Sequence, residues 1–225
     1  MSIEFYNSLS RKKEEFIPIK KDSVRMYTCG PTVYDAAHIG NFRTFVFEDL
    51  LKRFLIYKNY SVTHVMNITD IDDKTIRRSI EEKIPLSELT QKYKKLFFKD
   101  LSWLNIIPAD EYPEATGHVS EMIEIIKNLI DKEIAYTTDD NSVFFKISNY
   151  SDYGKLVNIK SNLLQSSDRI SDDEYTKDNP QDFALWKGHK SEDGDVWWDS
   201  PWGKGRPGWH IECSAMSMKY LGDYF

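Results

Sequence analysis

The sequence has very little cysteine and no long apolar run. Cys29 and Cys213 are its two cysteines among 225 residues, which excludes a small secreted domain held together by several disulfides. A membrane-spanning helix needs about 18 consecutive apolar residues, and the chain has no such run. The first residues, MSIEFYNSLSRKKEEF, also lack the apolar centre of a signal peptide. These absences predict a cytoplasmic protein without a membrane span.

The sequence also lacks an excess of positive charge. Its formal net charge is −6 at pH 7, so bulk charge does not indicate a nucleic-acid-binding protein. If RNA binds, it must contact a local basic face or a part of the protein outside this sequence. What the sequence does contain is 40% hydrophobic and 14% aromatic residues, enough for one large domain or one domain with an insertion.

The two cysteines are far apart in the sequence, and their spacing leaves three alternatives open. A disulfide is disfavoured in a reducing compartment. The two thiols could instead be buried as small apolar side chains, or both could ligate one metal ion. No Cys-x-x-Cys pair is present to favour the metal site.

Residues 23–68 have the pattern of a strand, a helix and a second strand. SVRMYTC (23–29) and SVTHVMNI (61–68) are the predicted strands. The predicted helix over 41–57 carries apolar residues at helical spacing: Phe42, Phe45, Val46, Leu50, Phe54 and Tyr57. A βαβ unit of this length implies a parallel sheet. Such sheets bind ligands at the carboxyl ends of their strands.

The pattern changes in the second half of the chain. Helices are predicted at about 72–83, 87–104, 117–132 and 209–221. Residues 135–147 predict a hairpin that turns at Asp139-Asp140-Asn141; it is antiparallel and so belongs to an insertion. The remaining predicted segments are a loop-rich stretch at 148–180, a short strand at 182–187 and a Gly/Pro/Trp loop at 200–209.

The stretch CGPTVYDAAHIGN (29–41) joins the first strand to the first helix. His38 falls at the start of that helix, where free backbone N–H groups and the helix dipole favour a phosphate. Gly40 allows a ligand close to the backbone, and Asn41 adds an amide donor. The alternative is a capped helix with an incidental histidine.

Three blocks together resemble the cysteinyl-tRNA synthetases, a family of class I aminoacyl-tRNA synthetases. They are CGPTVYDAAHIGN, MNITDIDDK and SPWGKGRPGWHIECSAMS (200–217). The resemblance implies an α/β fold: a Rossmann-like class I synthetase catalytic domain with a connective insertion, apparently truncated at its C-terminus. It divides the chain into a first catalytic half (1–107), the insertion (108–180) and the start of a second catalytic half (181–225).

The resemblance also assigns roles to individual residues. His38 and Asn41, at the family's His-Ile-Gly-His signature, are implied to be catalytic. Cys29 and Cys213 are implied zinc ligands, with two further ligands expected beyond Phe225. ATP is implied to contact Pro31, Thr32, Tyr34, His38, Gly40 and Asn41. The amino acid is implied to contact Gly30, Thr69, Asp70 and Trp209.

The alternatives without a ligand-binding role are a helix cap for Thr69 or Asp70 and a core aromatic for Trp209. His210 has the spacing of a metal ligand relative to Cys213, but the family pattern does not use it. Zinc is implied to bind the sulfur of the substrate, which distinguishes cysteine from serine, alanine and valine.

The resemblance implies a ligase that uses ATP and Mg²⁺ to convert L-cysteine to cysteinyl-adenylate and then transfers it to tRNA(Cys), acting as a monomer. The family continues into a Lys-Met-Ser-Lys-Ser loop and tRNA-binding domains, so we expect residues 1–225 to be an inactive N-terminal fragment. Two alternatives stay open. One is a related cysteine ligase of mycothiol-type thiol biosynthesis, which uses no tRNA. The other is a non-catalytic truncated homologue.

Overall fold

The computed structural model of the chain describes residues 2–156 and 181–225, so most of the predicted loop-rich segment lies outside the described residues. The strands are β1 (Glu4–Asn7), β2 (Lys12–Glu15), β3 (Ser23–Thr28), β4 (Ser61–Met66), β5 (Ala135–Thr137), β6 (Val143–Phe145), β7 (Phe183–Gly188) and β8 (Gly205–Pro207). The α-helices are α1 (Ile39–Tyr57), α2 (Asp73–Glu82), α3 (Leu86–Trp103), α4 (Val119–Asp131) and α5 (Trp209–Leu221). In the part of the chain described, no helix is long and apolar enough to cross a membrane.

A parallel sheet lies at the centre of the first half of the chain. β3 and β4 pair in parallel, with Ser23 opposite Ser61 and Thr28 opposite Met66. Parallel bridges from β4 and the residues just after it to Glu111 and Glu114 add an extended segment on the far side of β4. The predicted βαβ unit is therefore confirmed, and the strands end together at residues 28 and 66.

The second sheet is antiparallel and has the order β5-β6-β7-β8. The predicted hairpin supplies β5 and β6, so its separation from the parallel sheet is confirmed. β7 pairs with β6 and β8 pairs with β7. The predicted boundary between residues 180 and 181 therefore falls inside one continuous sheet. The reason is that the chain returns to the edge of the hairpin before it enters α5.

Two apolar clusters stabilise these sheets. One packs α1 and α3 on the parallel sheet, with Phe42, Phe45, Leu89 and Phe97 among its members. The other joins α4 and α5 to the antiparallel sheet; its members include Met122, Ile126, Leu185, Trp186 and Met216. The second cluster fixes α5 against both sheets, and this placement carries Cys213 to the end of β3.

The predicted apolar face of α1 is only partly buried. Phe42, Phe45 and Leu55 are buried, whereas Val46, Leu50, Phe54 and Tyr57 are exposed to at least 39%. The helix carries apolar side chains on more than one side, and only one of those sides meets the sheet. The buried side even includes Lys52, whose Nζ donates to the carbonyl of Pro108 at 2.7 Å.

Arg25 ties the first parallel strand to the last helix. Its guanidinium donates to the carbonyl oxygens of Leu221 and Tyr224. The carbonyls at the end of a helix have no partner within the helix, so this contact caps the end of α5. Gly222 is the C-cap residue of α5, and its φ of 85° is a backbone conformation that glycine adopts readily.

Candidate active site

Cys29 and Cys213 meet at the carboxyl end of β3. Cys29 follows the last residue of that strand, and Cys213 is the fifth residue of α5. Their Sγ atoms are 3.6 Å apart, and both are free thiols. Cys29 is exposed and Cys213 is partly buried, so the pair opens to solvent. Of the three alternatives left by the spacing, the structure brings the thiols together without a disulfide.

The hydrogen bond between the two thiols shifts their pKa values in opposite directions. The hydrogen bond from Cys213 lowers the pKa of Cys29 to about 6, and burial opposes this effect only in part. Donation of that hydrogen bond, together with burial, raises the pKa of Cys213. The hydrogen bond between the sulfurs therefore makes the first thiol proton easier to lose and the second harder to lose. A thiolate is the form that binds metals.

The geometry of the pair fits two ligands of a tetrahedral zinc ion. Two sulfurs at about 2.3 Å from zinc and at the tetrahedral angle lie about 3.8 Å apart, close to the observed 3.6 Å. Among residues 2–156 and 181–225, no cluster of three or more His, Cys, Asp or Glu side chains could hold a metal. The described residues thus fit half of a four-ligand site, and zinc itself stays a prediction.

The N-terminus of α1 carries the two predicted catalytic residues. His38 is the N-cap, and its Nδ1 accepts from the backbone N–H of Gly40 at 2.9 Å. Asn41 Oδ1 accepts from the backbone N–H of His38 at 3.1 Å, which completes a capping box. Because Nδ1 accepts, a neutral His38 ring carries its proton on Nε2. A Cβ on Gly40 would lie 2.6 Å from His38 Cε1, so glycine makes room for this ring position.

The segment between Cys29 and α1 extends the parallel sheet. Thr69 N–H donates to the carbonyl of Pro31, and Val33 N–H donates to the carbonyl of Thr69, both at 3.0 Å. Thr32 forms a parallel bridge to Thr69 between these bonds. Tyr34 lies beneath Lys74, whose Nζ is 5.5 Å from the ring centroid. The predicted ATP contacts Pro31, Thr32 and Tyr34 thus lie between the thiols and the capped helix.

The predicted amino-acid contacts have different surroundings. Thr69 is buried, and its hydroxyl donates to Glu212 Oε2 at 3.0 Å. Both Asp70 oxygens accept from Thr116, one from its N–H at 2.9 Å and the other from its hydroxyl at 2.5 Å. Asp72, and not Thr69 or Asp70, caps α2, and Asp70 instead holds the short helical turn at Ala115–His118. Gly30 packs so tightly that a Cβ would lie 1.8 Å from the carbonyl oxygen of Asn67.

Trp209 is the first residue of α5, and it is 43% exposed. Its ring meets His210 edge-on, with centroids 5.4 Å apart. His210 in turn packs on Phe183 at 4.6 Å, which agrees with leaving it out of the metal ligands. Trp209 is therefore not a buried core aromatic, and its contact with the amino acid stays a prediction.

Three residues around the thiols were not predicted. Asn67 and Glu212 are 2% and 1% exposed, and burial raises the pKa of Glu212. Tyr27, two residues before Cys29, has a buried hydroxyl without a standard hydrogen bond in the described part of the chain, and burial raises its pKa. Asn67 and Glu212 lie inside the blocks MNITDIDDK and WHIECSAMS. Their position next to predicted site residues in those blocks is the sequence feature that could have identified them.

Comparisons with known proteins agree with this arrangement. Residues 15–225 match the family model described as tRNA synthetases class I (C) catalytic domain. A cysteine–tRNA ligase of Chlamydia pneumoniae is 56% identical over 220 residues, covering 97% of this chain and 46% of the relative. One of Brachyspira hyodysenteriae is 56% identical over 225 residues, covering 99% of this chain and 47% of the relative. The chain spans about half the length of the curated relatives it matches.

Solved structures support the fold. Mycobacterium tuberculosis methionyl-tRNA synthetase, in complex with methionyl-adenylate, matches with a TM-score of 0.65 at 12% identity. The match covers 90% of this chain and 47% of the synthetase chain. A putative arginyl-tRNA synthetase of Campylobacter jejuni matches with a TM-score of 0.57 at 12% identity. That match covers 92% of this chain and 47% of the Campylobacter chain. At these identities the likeness shows the fold alone, and the predicted fold class is confirmed. With a family model that spans residues 15–225, the chain belongs to the class I (C) tRNA synthetase catalytic-domain family.

Proposed function

We propose that the whole protein containing this chain is a cysteine–tRNA ligase. It would activate L-cysteine with ATP and transfer the product to tRNA(Cys). The observation that carries the proposal is the pair of thiols at the end of β3, 3.6 Å apart and open to solvent. Strand ends of parallel sheets are where such folds bind their ligands. The names and identities of the relatives support the same activity.

The thiol pair explains how the substrate would be recognised. Zinc, when bound by Cys29 and Cys213, stabilises a third sulfur as thiolate and so selects a thiol-bearing amino acid. A pocket that reads size alone gains only about 1–3 kcal/mol per methylene, which is poor discrimination among small amino acids. The pair supplies two sulfur ligands, and their opening to solvent gives a substrate access to the same point.

The capped helix explains how ATP would be activated. In the reaction the carboxylate of cysteine attacks the α-phosphorus of ATP and pyrophosphate leaves with Mg²⁺. His38 Nε2–H stays available as a donor because the cap holds Nδ1 on Gly40. Donors that are fixed before the reaction stabilise negative charge as it develops on the phosphate oxygens. The N-terminus of α1 adds its own dipole to this charge stabilisation.

Cysteine-dependent exchange of pyrophosphate into ATP tests the proposal in the whole protein. We expect exchange with L-cysteine and none with serine or alanine. Failure to exchange with any amino acid would contradict the proposal and favour a non-catalytic homologue. Transfer of activated cysteine to tRNA(Cys), with a glucosamine-inositol acceptor as control, separates the ligase from its thiol-biosynthesis relative. Transfer only to the sugar amine would contradict the tRNA part.

A further inference from the structure

One buried amide contacts both segments that carry the thiols. Asn67 follows the end of β4, and its Oδ1 accepts from the backbone N–H of Gly30 at 3.2 Å. The same oxygen lies 3.8 Å from Cys213 Sγ and accepts the thiol proton when that proton does not point to Cys29. Gly30 is bonded directly to Cys29. A single oxygen atom therefore touches the segment of one thiol and the side chain of the other.

The other end of the amide is also fixed. Asn67 Nδ2 donates to Thr69 Oγ1 at 3.2 Å, and the Thr69 hydroxyl donates to Glu212 Oε2 at 3.0 Å. Glu212 immediately precedes Cys213 on α5. Because the nitrogen is held by an acceptor, the oxygen must face Gly30 and Cys213. The hydrogen-bond chain closes on α5 at both ends.

We propose that Asn67 is a positioning residue that holds Cys29 and Cys213 at the spacing at which both sulfurs bind one thiophilic atom. The proposal rests on the proposed function only for the identity of that atom as zinc. The spacing itself depends on residues of this chain. Cys29 is exposed at a strand exit and Cys213 lies on a helix 184 positions later, so local structure alone does not fix one sulfur relative to the other.

A trivalent arsenical tests this spacing directly, because its arsenic atom bonds two neighbouring sulfurs. With phenylarsine oxide two As–S bonds form, the oxygen leaves the arsenic, and the two thiol protons leave with it as water. No oxidant is needed. The whole protein, freed of metal by chelation, is titrated against a competing free dithiol. Peptide mass spectrometry then measures the fraction in which arsenic bridges Cys29 and Cys213.

The variant Asn67→Ala removes the shared oxygen. We expect the bridge to form with about tenfold lower affinity, the scale of one lost buried hydrogen bond. Alkylation of Cys29 by iodoacetamide needs a single thiol. At about pH 10, where Cys29 is ionised with or without the hydrogen bond from Cys213, its rate should stay parental. Ser142→Ala is the matched control, because Ser142 Oγ is buried and accepts from Gly188 N–H at 3.0 Å in the antiparallel sheet. It should bridge like the parent.

The proposal would be overturned if folded Asn67→Ala formed the arsenic bridge as well as the parent protein does. It would also be overturned if Asn67→Ala and Ser142→Ala lost bridging equally. If Asn67→Ala does not fold, Asn67→Asp decides, since it keeps an oxygen toward Gly30 and Cys213. Asn67→Asp should retain bridging, and its loss there would exclude the oxygen as the positioning atom. Bridging requires neither ATP nor L-cysteine. A protein that bridges but shows no pyrophosphate exchange would therefore contradict the proposed function and leave the role of Asn67 standing.

Discussion

At the scale of single residues, two sulfur atoms and one imidazole carry the chemistry that we propose for the site. The sulfurs of Cys29 and Cys213 are 3.6 Å apart, and one of them ionises readily. The imidazole of His38 uses Nδ1 for the helix cap, and Nε2 is the nitrogen that we propose to contact ATP. Single substitutions can separate these roles from folding, because none of the three side chains belongs to the two apolar clusters.

The first prediction concerns the metal. In the whole protein, Cys29→Ser or Cys213→Ser should lower the bound zinc and raise the KM for cysteine far more than the KM for ATP, since a hydroxyl is a poor zinc ligand. Zinc content by elemental analysis and exchange kinetics are the measurements. Ser217→Ala is a suitable control, because among the described residues the Ser217 hydroxyl donates to the carbonyl of Ser214, one turn back along α5. Unchanged zinc content in the serine variants would contradict the ligand assignment.

The second prediction concerns His38. His38→Asn should keep the cap, because asparagine is among the preferred N-cap residues, but it lacks the Nε2 donor. Loss of a donor aimed at developing charge typically costs about 2.7–4 kcal/mol, or a 10²–10³-fold lower kcat. We expect that decrease in adenylate formation with an unchanged melting temperature. A parental kcat with weakened ATP affinity alone would show that His38 binds the ground state and transition state equally.

Spacing in the sequence could predict the strand end and the helix start but not the contacts between them. Cys29 and His38 were placed by the βαβ pattern and by the family resemblance. Asn67 and Glu212 were not predicted, because their partners are 37 to 146 positions away and no local period encodes such hydrogen bonds. For Asp70, the sequence could not show that Thr116 would occupy both oxygens.

At the scale of secondary-structure elements, the two parallel strands converge as they leave the sheet. Gly30 packs on the backbone of Asn67 there, with no room for a side chain. Long periodic elements such as α1 and α3 were predicted within two residues at each end. β1 and β2 were missed because they are four residues each and β2 is entirely Lys and Glu. β8 was missed because it is three residues within a Gly/Pro loop.

The third prediction tests the convergence of the strands. Gly30→Ala places a Cβ 1.8 Å from the carbonyl oxygen of Asn67, so the strand ends must separate. We expect a loss of about 1–3 kcal/mol in the free energy of unfolding, the usual range for overpacking. Urea unfolding followed by tryptophan fluorescence measures it. Gly117→Ala is the matched control, because its Cβ meets no atom within 4 Å. Equal stability of the two variants would contradict the tight packing.

At the scale of the whole molecule, the fold is sensitive to acid through buried groups on the parallel sheet. Burial, and then the charge of Lys52, lower the pKa of His64 to about 4, although Asp110 and Asp49 oppose the shift. The ring stays neutral in the fold, with Nε2 on the hydroxyl of Thr28 at 2.9 Å. The unfolded chain has an ordinary histidine pKa of about 6.5 and therefore binds the proton more readily.

The fourth prediction follows from that difference. The stability that His64 contributes is complete above pH 6.5 and is lost as the pH falls toward 4, because the unfolded state takes up the proton first. His64→Gln should flatten the slope of unfolding free energy against pH in that window. Urea midpoints between pH 4 and 7 provide the measurement. A parental slope in His64→Gln would assign the acid sensitivity to other groups.

The distance between the two thiols along the chain also has a consequence during synthesis. The second cysteine is added 184 positions after the first. At roughly 5–20 residues per second, the ribosome takes about 10–40 seconds to cover that interval. Throughout that interval Cys29 is already part of the nascent chain, whereas Cys213 has not yet been made. The nascent chain must therefore carry an unpaired sulfur for that interval, and a metal held by both sulfurs could be loaded only after Cys213 has been made.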